Sequence, residues 1–142
     1  MAESNNIYDD VRNILVGLKL KEAKEYFDLE NIPDSLADNS FVISPFELSE
    51  GNNISTSQSV KIIGIIAGIK IYLSFKLPAN RIINKMKTSS TIVENVIKGI
   101  LGITVGEDEK DLFAFAGSNP LVEGDKLIYE INFNASYRIK NY

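Results

Sequence analysis

Apolar residues recur along the chain at two periods, and the switches between them mark the elements. Ile7, Val11, Ile14, Leu15 and Leu18 share one face at helical spacing, so the chain is predicted to open with an amphipathic helix. Ser4, Asn5 or Asn6 can cap it, and Asp9 and Asp10 fall where the helix dipole favours negative charge. This helix either runs on through residues 19–25 or breaks near Gly17, and Ile32-Pro33-Asp34-Ser35 marks a stop and a turn. Phe41-Val42-Ile43-Ser44 reads as a short strand, whose continuation Pro45 demotes to an edge position. Residues 49–59 are almost wholly polar and are predicted to form a long loop, of the kind that compact domains usually reserve for function.

From Val60 to Leu77 the period changes to two. Ile63, Ile65, Ala67, Ile69, Ile71, Leu73, Phe75 and Leu77 are read as pointing one way, against Lys61, Gly64, Gly68, Lys70, Tyr72, Ser74 and Lys76. The run is long for one strand, which predicts a bend or bulge near Gly64 or Gly68, or two strands. After Pro78, residues 81–87 read as an irregular or short helical connector with a basic edge. A second helix then begins at Thr91, whose pairing with Glu94 fits a capping box, and ends near Gly102. Residues 112–116 and 126–139 are the last strands. The second of them alternates Leu127, Tyr129, Ile131, Phe133, Ala135, Tyr137 and Ile139 with polar residues. Gly117-Ser118-Asn119-Pro120 and Glu123-Gly124-Asp125 supply turn chemistry between the two. The order α-β-β-α-β-β predicts a single α+β domain over residues 1–142, with two helices packed on one face of a mostly antiparallel, twisted sheet. The other face is expected to be wet or covered by a neighbouring molecule.

Composition narrows the chemistry. The chain has 142 residues, 44% of them hydrophobic, enough for one core. It has no cysteine, which removes disulfides, thiolate zinc sites and a Cys nucleophile; it has no histidine, which removes the usual general base and the commonest metal ligand. Carboxylate, lysine or hydroxyl chemistry stays open. The acidic run Glu107-Asp108-Glu109-Lys110-Asp111 lacks the spacing and central glycine of a calcium loop and reads as a solvated turn. Lys70 falls on the wet parity of its strand, and Tyr129 and Tyr137 are core aromatics with a hydroxyl at the rim. The expectation is therefore a protein without catalytic activity, metal or cofactor.

The net charge of −4 is unevenly spread: residues 1–60 sum to −7, residues 61–98 to +6 and residues 99–142 to −3. Complementary patches of this kind can bring copies together, although the middle lysines also fit the solvated edges of a strand and a helix. With three arginines (Arg12, Arg81 and Arg138) and a negative total, a DNA-gripping role is disfavoured. The apolar run from Ile62 to Ile69 is far short of the roughly 20 residues that a membrane span needs. The polar, acidic start lacks the basic-then-apolar pattern of a signal peptide, which predicts an intracellular chain.

Several segments together carry a family likeness: the opening helix, Ile32-Pro33-Asp34 leading into Phe41, the long polar loop and strand, the helix at Val93 to Leu101, and the closing strand with Asn134-Ala135-Ser136-Tyr137-Arg138-Ile139. In size, order and texture the chain resembles the tail terminator (tail completion, minor tail protein U-like) proteins of long-tailed bacteriophages. That resemblance implies a structural virion protein, assembled in the host cytoplasm, that forms a ring, commonly hexameric, on the finished tail tube. The ring would stop tube polymerisation and offer the surface for head joining. Its partners would be further copies of itself, the tail tube protein and the head-connector or neck protein, with DNA only as passing cargo and no membrane. Another neck, head-completion or tube ring protein, or a non-viral adaptor or inhibitor with one protein partner, fits the same pattern. The segments with least core-forming pattern are the expected interfaces: Glu50, Asn52, Asn53, Thr56 and Gln58 in the loop, and Arg81, Lys85 and Lys87 in the connector.

Overall fold

The computed structural model describes residues 4–53, 61–105 and 111–141. Along the chain these form α1 (Ser4–Gly17), β1 (Lys21–Glu22), β2 (Ser40–Ile43), β3 (Glu47–Asn53), β4 (Lys61–Lys76), α2 (Ile82–Ile100), β5 (Thr104–Val105), β6 (Asp111–Glu123) and β7 (Lys126–Asn141). Seven strands make one sheet in the order β1-β2-β4-β7-β6-β5, with β3 also on β4. Among the described residues only β1–β2 is parallel. The expected α+β class holds, and so in outline does the order of helices and strands.

The predicted alternation in β4 is real. Ala67, Ile69, Ile71, Leu73 and Phe75 are buried and lie opposite β7's Ala135, Phe133, Ile131, Tyr129 and Leu127. Ile7, Val11 and Leu15 of α1 and Val93, Val96 and Ile100 of α2 close over them as one core. A side chain of this size contributes roughly 1.5–3 kcal/mol when fully buried, so this face dominates stability. The helices cross closely: a Cβ placed on Gly99 would lie 2.6 Å from Ile14 Cγ2.

The opening helix takes the shorter of its two predicted courses. The Leu20 N–H reaches back to Leu15 O (3.1 Å) and the Lys19 N–H to Val16 O (2.9 Å), with Lys19 left-handed at φ 66°. This is a Schellman ending, and it drops Leu20 into the core beside Leu15 instead of extending the helix. Because α1 starts at Ser4, its first turn contains no acidic residue; Asp9 and Asp10 lie further in, contrary to their expected place at the dipole.

Other expectations need correction. The long strand does not divide: β4 keeps one register with β7 from Lys61 to Lys76. The irregularities lie in its neighbours. β2 and β3 both pair with β4 but are offset, with Pro45 and Phe46 falling between them. Here Ser44 exchanges backbone bonds for a side-chain one: its N–H donates to Lys70 O (2.8 Å) and its Oγ accepts from the Lys70 N–H (2.9 Å). The freed Phe46 N–H donates to Tyr8 Oη at 2.7 Å, and the two rings stack at 4.2 Å. The polar segment predicted as loop from residue 49 is therefore strand through Asn53, held by Leu48 opposite Ala67 and Glu50 opposite Ile65; residues 54–59 lie outside the described residues, as does most of the acidic run 107–111.

Likewise Gly117-Ser118-Asn119-Pro120 is not a turn. It lies inside β6, where Gly117 at φ 119° forms a bulge and Pro120 sits opposite Tyr129. The true turn is Gly124-Asp125, with Gly124 at φ 60°. Residues 82–87 of the expected connector are the first part of α2, with Arg81 at its N-cap. Thr91 is therefore no cap: its Oγ1 donates back to Lys87 O (3.1 Å), as Thr88 does to Asn84 O (3.0 Å) and Ser89 to Lys85 O (2.7 Å). The helix ends on Leu101 in right-handed geometry, with Gly102 just beyond.

The far face of the sheet is not uniformly wet. Residues 23–36 fold back across one end of it, where Phe27 packs with Val42, Tyr72 and Ile128, backed by Leu29, Ile32 and Leu36. Asp28 Oδ1 accepts from the N–H groups of Glu30 (2.9 Å) and Asn31 (2.8 Å), which sets the turn that brings the strap round.

Gly99→Ala is expected to lower the unfolding free energy by about 1 kcal/mol in urea titration. Crowding against a β-branched side chain costs about 1–3 kcal/mol and the gain in helix propensity returns only about 1. In an Ile14→Ala background the sign should reverse, and the same substitution should stabilise.

Candidate functional site

The first surface that stands out is the start of α2. Ser89, Val93, Val96 and Ile100 form its buried stripe. One and two turns earlier the same stripe continues through Met86 and Ile82, which are 37% and 41% exposed. The sheet has already ended, since β4 stops at Lys76 and Pro78 cannot extend a ladder. The overrun leaves a groove of about 620 Å³ lined by Leu77, Pro78, Ala79, Ile82, Met86 and Val122, with Lys76 and Asp125 beside them. Val122 is 52% exposed and Ile83, next to the groove, 68%. At the helix entrance Arg81 has a left-handed backbone (φ 63°, ψ 36°), and no side chain caps the first turn.

A second cluster anchors this end. Asp38 Oδ2 accepts from Lys85 Nζ (2.8 Å) and Asp38 Oδ1 from the Lys76 N–H (2.8 Å). Lys85 Nζ also lies 5.9 Å from the centre of the Phe75 ring. Burial pushes the Asp38 carboxyl up, but the Lys85 and backbone hydrogen bonds outweigh it and hold the group below its usual value.

The third is polar and lies on the far face beyond the strap. Glu130 is its centre: Tyr72 Oη donates to Oε2 (3.0 Å), while Asn119 and Asn132 donate to Oε1 (3.1 and 3.2 Å). Burial pushes the Glu130 carboxyl up; these three donors and the charge of Lys70 outweigh it and hold it down. The same environment raises Tyr72, by burial first and then by its bond to Glu130, so its hydroxyl stays protonated at neutral pH. With every oxygen of Glu130 committed to donors, this cluster orders the strand surface and offers no free base. Among the described residues no group of three or more carboxylates is placed to hold a metal ion.

The predicted interface residues divide between two places. Arg81, Lys85 and Lys87 share the first turns of α2, where Arg81 and Lys87 are exposed and Lys85 is tied to Asp38. Glu50, Asn52 and Asn53 lie on β3, which pairs with the other half of β4. They do not form one surface with the α2 group. Thr56 and Gln58 are outside the described residues. The apolar members Ile82, Met86 and Val122 were missed. For the two on α2 a signal was present: Met86 stands seven residues before Val93 and Ile82 fourteen before Val96, in the phase of the buried stripe.

Both long sides of the sheet end in blunted edges. Among the described residues no strand covers the outer side of β3, nor that of β6 beyond its short pairing with β5. β6 is interrupted there by the Gly117 bulge and by Pro120, which has no N–H to offer; β3 carries Glu47, Glu50 and an irregular register between Glu50 and Asn53. Such features discourage further strand addition. No helix is long and apolar enough to cross a membrane among the described residues. No protein-family profile matches the chain, and a search of curated proteins finds no match.

Because the folded-state value of Asp38 lies below its ordinary 3.8, its contribution is present above that pH and lost as pH falls through the lowered value. Asp38→Asn should cost about 1 kcal/mol at pH 7, a figure held down by solvent screening of a half-exposed pair. The difference from wild type should shrink as urea titrations are taken below pH 3.8.

Proposed function

We propose that this chain is a structural subunit that joins copies of itself head to tail into a closed ring, and that the ring acts as a phage tail terminator. The observation that supports this reading best is the overrun of α2. A core stripe that continues past its own sheet leaves an apolar groove needing a cover from another molecule, since monomeric proteins rarely leave contiguous apolar surface open. The blunted edges add to it: copies that cannot extend each other's ladders must meet through side-chain surfaces. Patches on different parts of the subunit generate heterologous contacts, which close into rings when the rotation allows.

In this role the ring, expected to be a hexamer, sits on the finished tail tube, ends its polymerisation and presents the surface for the neck or head-connector protein. DNA passes through it as cargo, and a subunit of net charge −4 does not grip phosphates. The protein is then a virion component of tail and neck, with no reaction to catalyse. Solution mass by light scattering across concentration, followed by negative-stain imaging of the heaviest species, tests this. The expected result is a discrete oligomer with a central hole. A strict monomer that forms a one-to-one complex with a single partner would replace this reading by that of an adaptor. Stacked, open-ended tubes would replace it by that of a tube subunit.

A further inference from the structure

We infer that the groove beside α2 receives the β3 edge of a second copy, with Leu48 as the side chain that fills it; this rests on the ring reading and names its contact. The groove needs an apolar occupant, because its wall is made by Leu77, Ile82, Met86 and Val122. On the described surface, Leu48 is a matching knob. It is 54% exposed, stands opposite Ala67 on the helix side of the sheet, and belongs to the strand at the side away from β6. Val122, opposite the buried Leu127, is on that same helix side. Knob and groove therefore lie on one layer of the subunit but apart from each other, the knob beside the middle of β4 at Ala67 and the groove past the end of that strand at Lys76, reaching to β6. A head-to-tail contact that turns through a ring needs that placement.

The charges agree with the shapes. Glu50, two residues on from Leu48, shares its side of β3, while Glu47 turns to the other side; both are acidic and exposed. The groove has Lys76 in its lining, and Arg81, the residue before its lining residue Ile82, has no ion pair within its own chain among the described residues. Asp125 is the one acidic residue in its lining, and its Oδ1 lies 3.7 Å from Lys126 Nζ. An acidic edge facing a basic rim steers the two patches together and disfavours edge-to-edge or groove-to-groove pairing, where like charges would meet. Desolvated apolar contact at the centre, ringed by charge, is the usual anatomy of a specific interface.

The test uses two full-length variants with changes at exposed positions, Leu48→Asp and Met86→Asp, each checked for an unchanged circular dichroism spectrum and melting temperature. Either substitution alone should weaken self-association by about 30–100-fold, the scale of a lost central anchor. The decisive step is to mix them. Leu48→Asp retains an intact groove and Met86→Asp an intact edge, so the mixture should yield a heterodimer of twice the monomer mass that grows no further. Arg81→Glu should weaken assembly, and adding Glu50→Arg, on the Leu48 side of β3, should restore it. If wild type assembles while both variants assemble equally well, this contact is wrong and the ring reading survives. If the variants fail alone and the mixture stays monomeric, the groove and edge do not meet each other, and this pairing is overturned. A wild type that remains monomeric up to millimolar concentration overturns both.

Discussion

Between β4 and β7 each residue has one partner, without a break, from Lys61 with Asn141 to Lys76 with Lys126. Side chains alternate across a sheet, so a slip of one position would turn Ile69, Ile71, Leu73 and Phe75 to the far face and bring Lys70 and Ser74 into the core. The penalty, a lost burial for nearly every residue of the spine, fixes the register. Both helices then have one apolar surface to cover. The small strap of residues 23–36 covers Tyr72 and Ile128, which protrude on the opposite side.

A spine this regular leaves its adjustments to the strands beside it. Pro45 cannot donate to β4, and Ser44 Oγ and Tyr8 Oη satisfy the groups its break would have stranded. At Gly117 the bulge shifts the parity of β6. Phe113 and Phe115 face the helices before it, and Ser118, Pro120 and Val122 share that side after it. Without that extra residue Val122 would point away from the groove. The bulge thus shapes the surface that the self-assembly reading uses, and it blunts the edge against strand addition at the same place.

The length of α2 relative to the sheet links packing to function. Its stripe from Ile82 to Ile100 is longer than the core that receives it, and the Lys85–Asp38 ion pair ties the overhanging turns to the segment just before β2. The polar cluster at Glu130 works differently: its hydrogen bonds are internal, so it stiffens the far face and leaves recognition to the groove and the edges.

Periodicity by itself determined that β4 and β7 are strands with their odd positions inward, that α1 and the second half of α2 are helices, and that the class is α+β. These patterns repeat over many residues, and their burial energy outweighs local exceptions. The sequence also excluded every chemistry that needs histidine or cysteine. Only the tertiary structure decided where local signals lose. Gly117-Ser118-Asn119-Pro120 has turn chemistry, yet long-range pairing with β7 holds it as strand. Glu47–Asn53 is polar enough for a loop, yet β4 offers it a ladder. Thr91 and Glu94 fit a capping box, yet the helix already runs from Ile82. Where the stripe of α2 outruns the sheet was invisible in the sequence, because the end of the core is set by how far β4 and its neighbours reach in space.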